Sequence, residues 1–176
     1  DLAFSTVRDL LRSLEKPPTH KGLLSPREPD DYRALKALSQ DEDIQKYSRN
    51  TAKVRQLWQV CQVPDFRKTM HDAHLRLLKQ IFINLQGSGG KLPADWIAGQ
   101  LNKLKKTDGD IDTLATRIAH TRTWTYISHV PDWVNDYKHW QDVARRIEDN
   151  LSDALHERLT QRFVDRRTAV LVRKLK

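Results

Sequence analysis

The stretch from Asn150 to Arg167, NLSDALHERLTQRFVDRR, decides the expected fold of this chain. Apolar residues recur in it every four positions, which is a helical spacing: Leu151, Leu155, Leu159 and Phe163. Arginines recur beside them at the same interval: Arg158, Arg162 and Arg166. We predict one long helix that packs through its apolar stripe and can hold an anion along its line of positive charge.

Helical periodicity also runs through the rest of the chain, and no segment alternates convincingly with period two. Pro64-Asp65 is expected to open a helix that includes Phe66, and Gly87-Ser88-Gly89-Gly90 to end it. Asp108-Gly109-Asp110 is expected to break the chain and cap the next helix. The sequence therefore predicts an all-α fold, an irregular bundle of about eight helices with a long C-terminal helix.

The length of 176 residues suits a single all-helical region, residues 1–176. The stretch 17–29 is rich in proline, glycine and charge, and is the best candidate for a lobe boundary. The chain starts at Asp1 without a methionine, so we expect it to be part of a longer protein.

The balance of charge favours polyanionic partners. Lys and Arg number 31 against 23 Asp and Glu, which gives a formal net charge of +8. The single cysteine, Cys61, excludes an intramolecular disulfide and fits a reducing compartment, so we expect a cytoplasmic location. Neither a run of about 20 apolar residues nor a signal-peptide pattern is found, and no membrane partner is expected.

Motifs for catalysis or cofactor binding fail on their context. The segment ending in Gly89-Gly90-Lys91 resembles a phosphate-binding loop, but a helix precedes it and Leu92 stands where Ser or Thr is needed. His71 and His74 share a helix face, yet no further ligands complete a zinc site. The sequence predicts no catalytic residue, no metal site and no cofactor in this chain.

Basic residues form two clusters that could line a channel for a phosphate backbone. From Leu151 to Lys176, seven basic residues stand against three acidic ones, a surplus of +4. Asp153, Glu157 and Asp165 leave open how many of these arginines are paired. The second cluster comprises Lys103, Lys105 and Lys106.

Aromatic residues are concentrated within seventeen positions: Trp124, Tyr126, Trp133, Tyr137 and Trp140. Aromatic rings beside arginines stack bases in single-strand binding proteins. The same spacing also fits a helical corner whose rings bury one another around Pro131. We favour the core interpretation for Trp124 and Trp140, and both interpretations remain open for Tyr126 and Tyr137.

Three segments resemble the C-terminal helical region of Suv-three-like helicases, which are superfamily-two, Ski-two-like motors, and most of all the bacterial members of alphaproteobacterial type. They are CQVPDFRK (Cys61 to Lys68), DGDIDTLATRIAHTRTWTYISH (Asp108 to His129) and LSDALHERLTQRFVDRR (Leu151 to Arg167). The resemblance covers nearly the whole chain. It implies an all-α region that follows two RecA-like motor domains and helps to enclose a single strand. ATP and magnesium would bind to that upstream motor, because this chain lacks its Walker loop, acidic magnesium motif and arginine finger.

Our leading hypothesis is therefore an accessory region of an ATP-dependent helicase that contacts single-stranded RNA or DNA beside the upstream RecA-like domains. The candidate nucleic-acid-binding residues are Arg117, Arg122, Arg158, Arg162, Arg166, Arg167, Lys103, Lys105 and Lys106. The alternative is a helical protein-interaction scaffold that docks the helicase to a partner such as a nuclease.

Overall fold

The computed structural model of the protein describes residues 1–15, 28–68 and 71–175, with Ser88 described by its backbone alone. Within these ranges the chain forms eight α-helices, one 3₁₀ turn at Ser88–Gly90 and no strand. The helices are α1 Val7–Leu14, α2 Asp30–Leu38, α3 Glu42–Tyr47, α4 Thr51–Cys61, α5 His71–Leu85, α6 Ala94–Asn102, α7 Ile111–His129 and α8 Tyr137–Leu175. The predicted all-α fold with a long C-terminal helix is confirmed for this part of the chain.

The contacts divide the chain into two compact units. Unit 1 comprises Asp1–Pro64 and Lys68–Leu92, and unit 2 comprises Asp65–Arg67 and Pro93–Lys176. The lobe boundary expected at 17–29 falls almost entirely outside the described residues. Among the helices described, none combines the length and apolar composition needed to cross a bilayer.

Unit 1 is built on a core of fully buried apolar side chains: Leu10, Leu35, Ile44, Leu57, Leu78 and Phe82. Asp41 caps α3 by accepting from the backbone N–H groups of Asp43 and Ile44. Lys79 of α5 lies with its Nζ 2.8 Å from Asp41 Oδ2 and 3.2 Å from Asp43 Oδ2. The hydrogen bond from Lys79 lowers the pKa of Asp41 and, in return, raises the pKa of Lys79.

The pKa values of two more groups of unit 1, Tyr32 and Cys61, are raised by their surroundings. The Tyr32 hydroxyl donates to Glu15 Oε1 at 2.6 Å, and this hydrogen bond raises the pKa of Tyr32 to about 12. Burial raises the pKa of the Cys61 thiol, which keeps it protonated and poorly nucleophilic. Cys61 is therefore a packing residue of α4, as its position in the apolar pattern indicates.

The prediction that a helix opens at Pro64-Asp65 is wrong. Residues 65–67 form a turn in which Asp65 Oδ1 accepts from the backbone N–H of Arg67 at 3.1 Å. Lys68 has a φ of 59°, which a right-handed helix does not accommodate. Phe66, which the sequence placed in the expected helix, lies in this turn and is exposed.

In unit 2, α7 and α8 form an antiparallel pair joined by a turn at residues 130–136. Asp110 caps α7, as predicted, and its Oδ1 accepts from the backbone N–H of Thr113 at 2.8 Å. The buried apolar side chains of this pair are Leu114, Ile118, Trp124, Ile127, Ala144, Ile147 and Leu151. Two non-glycine residues of the connecting turn, Asp132 and Asp136, have φ values of 68° and 54°. Aspartate tolerates this left-handed region better than most residues.

The apolar stripe predicted on α8 packs over only half of its length. Leu151 is buried and Leu155 is half-buried, but Leu159 and Phe163 are exposed. Every described residue from His156 to Leu175 is exposed. Because α7 begins at Ile111, it has no turn left to cover this part of α8. A row of side chains at steps of four also rotates by roughly 40° per step, which carries Phe163 away from α7.

Candidate nucleic-acid interface

All nine candidate nucleic-acid-binding residues lie in unit 2. Two of them, Arg117 and Arg122, make hydrogen bonds within the protein. Arg117 Nη1 donates to the carbonyl oxygens of Lys106, at 2.7 Å, and of Asp108. It also lies 3.7 Å from the Asp108 carboxylate. Arg122 Nε donates to Glu148 Oε1 at 2.8 Å and so links α7 to α8. A phosphate could engage either arginine only by replacing these contacts.

The arginines of α8 border a groove beside the N-terminus of α7, which we call the α7–α8 groove. Arg158 Nε donates to the Gly109 carbonyl oxygen at 3.2 Å. Arg162 and Arg166 have no hydrogen bond or ion pair with any residue that the structure describes in this groove or elsewhere. The lining residues are Asp110, Ile111, Asp112, Arg158, Gln161, Arg162, Asp165, Arg166 and Ala169.

The charges of the α7–α8 groove are balanced, because three carboxylates stand against its three guanidinium groups. Asp110 is committed to capping α7, and the hydrogen bond with Thr113 lowers the pKa of its carboxyl. Asp165 accepts from Gln161 Nε2 at 2.9 Å. A phosphate in this groove would therefore meet negative charge as well as positive charge.

Arg167 points to another side of α8 than the groove-lining arginines. Its Cζ lies 5.8 Å from the centre of the Phe163 ring, in a cation–π contact on the exposed part of the helix. The three lysines of the second cluster, Lys103, Lys105 and Lys106, are exposed in the connection between α6 and α7. The carbonyl contacts of Arg117 and Arg158 hold the later part of this connection against α7 and α8.

Lys105 opens onto a second groove, between α6 and α8, which we call the α6–α8 groove. Its lining residues are Ala98, Leu101, Asn102, Lys105, His139, Trp140, Val143, Arg146, Ile147 and Asn150. Two cations, two side-chain amides and two aromatic rings are present, and none of the described residues that line it is acidic. The rings of His139 and Trp140 meet edge to face, with centroids 4.7 Å apart.

The aromatic cluster divides between core and surface. Trp124 is buried, as predicted, but it packs edge to face on Trp96 of α6, with centroids 5.4 Å apart, rather than on rings near Pro131. Trp133 is buried, and Tyr126 and Tyr137 are exposed. Trp140 is half-buried and lines the α6–α8 groove, so the core interpretation holds for it only in part.

Sequence reasoning did not select four polar residues of the α6–α8 groove: Asn102, His139, Arg146 and Asn150. The sequence does indicate the groove residues of α8, because the spacing of positions 139, 143, 146 and 150 puts them on one helical face. In the sequence, Asp149 lies within one turn of Arg146 and indicates an ordinary surface ion pair. In the described part of the chain, however, the ion pair at this level joins Arg145 to Asp142. No pattern in the local sequence predicts that α6 contributes Asn102 to this groove.

The two grooves adjoin the same connection between α6 and α7, since Lys105 lines one and Asp110 lines the other. Arg146 and Arg162 mark their positions on α8 and are separated by about 24 Å at the helical rise of about 1.5 Å per residue. Their side chains project roughly 160° apart around the helix, so unit 2 offers two groups of cations at different heights and on different sides of α8.

Searches with protein-family models, curated proteins and solved structures found no match to this chain.

Proposed function

We propose that unit 2 binds single-stranded RNA or DNA along α8, and that the chain is the accessory helical region of an ATP-dependent helicase of the Suv-three-like type. The observation that supports the binding most strongly is the composition of the α6–α8 groove, where cations, amides and aromatic rings meet without a lining carboxylate. The helicase assignment rests on the resemblance of the three sequence segments. ATP and magnesium would belong to RecA-like domains, which this region would accompany.

The groove combines the two kinds of contact that single-strand binding needs. Lys105 and Arg146 supply charge for the phosphate backbone, which dominates affinity and releases counterions. Trp140 supplies a ring on which a base can stack, and such stacking contributes about 1–3 kcal/mol per base. Asn102 and Asn150 supply amides that can donate to and accept from base edges or a 2′-hydroxyl.

The α8 arginines that the sequence indicated as nucleic-acid ligands lie beside the α6–α8 groove surface and do not form its centre. Arg162 and Arg166 add cations nearer the exposed end of α8, but Asp112 and Asp165 offset part of their field. Backbone phosphates that leave the α6–α8 groove would pass these arginines. Their contribution to affinity should therefore be smaller than that of Lys105 and Arg146.

The test is a titration of fluorescently labelled oligouridine with the 176-residue chain at several salt concentrations. Lys105→Gln with Arg146→Gln should weaken binding about tenfold at low salt. It should also reduce the slope of log affinity against log salt by about 1.4, because each phosphate contact to a single strand contributes about 0.7.

The matched control is Lys138→Gln with Arg145→Gln, which removes the same charge from exposed positions of α8 outside the groove. This control should change the affinity less than about threefold, because salt screens the attraction between exposed charges outside the groove and the bound strand. Equal weakening in the two double variants would show that net charge, and not the groove, holds the strand. Absence of binding at low salt would refute the function for this chain.

A further inference from the structure

The exposed end of α8 carries an apolar surface that nucleic-acid binding does not explain. Leu159, Phe163 and Val170 are 46%, 60% and 50% exposed. On a helix of 3.6 residues per turn these three side chains project within roughly 40° of one another. We call this row the α8 apolar seam. None of its members lines the α7–α8 groove or the α6–α8 groove.

Positive charge borders the α8 apolar seam on both sides. Arg166 and Arg173 flank one side, and Arg167 and Lys174 flank the other, each within roughly 60° of the centre of the seam. The guanidinium of Arg167 already lies against the Phe163 ring. The acidic residues of this part of the helix, Glu157 and Asp165, project more than roughly 120° away.

We infer that the α8 apolar seam docks a helix of a partner protein that has an apolar face flanked by acidic side chains. Apolar residues at helical spacing with charged borders are the pattern by which one helix packs on another. The borders of the seam contain cations alone, so attraction requires carboxylates at the matching positions of the partner. The apolar residues of the seam line neither groove, so this role is separate from strand binding in the α6–α8 groove; Arg166 alone borders both the seam and the α7–α8 groove.

Charge disfavours a second copy of this chain as the occupant. The segment from His156 to Leu175 has six basic and two acidic residues, a net charge of +4. Two such helices packed seam to seam would bring arginines against arginines.

A bilayer surface also fits less well than a protein helix. A helix that lies in a membrane interface needs a strongly charged face opposite its apolar face. The side of α8 opposite the seam instead carries the carboxylates of Glu157 and Asp165 beside Thr168 and Val172, and Val172 is itself 49% exposed. It is therefore not the uniformly polar, basic face that an interfacial helix presents.

The experiment uses two synthetic helical peptides with the same row of leucines along one face. Glutamates flank this row in the first peptide, and lysines flank it in the second. Each is fluorescently labelled and titrated with the whole 176-residue chain. The acidic peptide should bind, and the lysine peptide should bind at least tenfold more weakly. Phe163→Gln with Val170→Gln should weaken binding of the acidic peptide at least tenfold, while its oligouridine affinity stays unchanged.

The matched control is Val164→Gln with Leu171→Gln, which removes two exposed apolar residues from a different side of α8. It should leave binding of the acidic peptide unchanged. Circular dichroism of both double variants should show unaltered helix content, because all four positions are exposed and glutamine is a good helix former.

Four results would overturn the inference. Binding of the acidic peptide that does not saturate with the chain in excess rejects the partner helix. Equal loss in the Val164/Leu171 control rejects the seam as the site. Self-association that Phe163→Gln with Val170→Gln abolishes identifies a second copy as the occupant. Binding to phosphatidylglycerol vesicles, or to oligouridine, that depends on the same two residues assigns the seam to a lipid surface or to the strand.

Discussion

At the scale of the residue, Trp140 connects the interior of unit 2 with its surface. Trp140 lines a small interior cavity together with Trp124 and Ile127, and it also lines the α6–α8 groove. A ring held in this way loses little conformational entropy when a base stacks on it. The sequence predicted burial for Trp140 but not the groove, because the groove depends on where α6 lies against α8.

Trp140→Leu should weaken oligouridine binding about tenfold, since stacking on an aromatic ring contributes about 1–3 kcal/mol per base. Leucine keeps an apolar side chain towards the interior but offers no ring. Stacking releases no counterions, so the salt slope should stay unchanged, in contrast to the variant of Lys105 and Arg146. Tyr137→Leu, at an exposed position of α8 outside the groove, is the control and should bind normally. A slope that falls with Trp140→Leu would contradict a stacking role.

At the scale of the element, the connection between α6 and α7 is positioned by arginines that the sequence presented as phosphate ligands. Arg117 engages two carbonyl oxygens and one carboxylate of this connection, and Arg158 engages a third carbonyl. Such contacts depend on the path of the chain, which spacing along a helix does not encode. The helices themselves were predictable, because the apolar period and the Asp110 cap are local signals.

Replacing Arg117 should loosen this connection. Because hydrogen bonds from a guanidinium to exposed carbonyl groups contribute roughly 1 kcal/mol, trypsin should cleave after Lys105 or Lys106 about fivefold faster in Arg117→Gln. Arg117→Lys should behave like Arg117→Gln, since a lysine lacks the planar fork that reaches both carbonyl oxygens. Peptide mapping by mass spectrometry over a time course measures both rates.

Arg122→Gln is the control for this prediction, because Arg122 pairs with Glu148 and does not contact the connection. Its cleavage rate should match that of the unmodified chain. Rescue by Arg117→Lys would contradict the role of the planar fork and show that positive charge beside the Asp108 carboxylate is enough to hold the connection.

At the scale of the whole molecule, the candidate functions are concentrated in unit 2, and α8 carries two surfaces with different chemistry. The grooves offer cations and a ring, whereas the α8 apolar seam offers hydrophobic area between cations. The sequence predicted the length of α8 and its arginine line. It could not predict which apolar residues stay exposed, because that depends on the register of α8 against α7, and α8 has no neighbour within the pair beyond Ile111.

The most direct test of the central claim is ultraviolet crosslinking of 5-bromouridine oligonucleotides to the whole chain, with mass spectrometry of the crosslinked peptides. Aromatic side chains stacked on the base should react, so the account predicts the main crosslink at Trp140 or His139 of the α6–α8 groove. Exposed Tyr126, outside the groove, should react weakly at most. Main crosslinks in unit 1, or at Tyr126 in place of Trp140, would contradict the account.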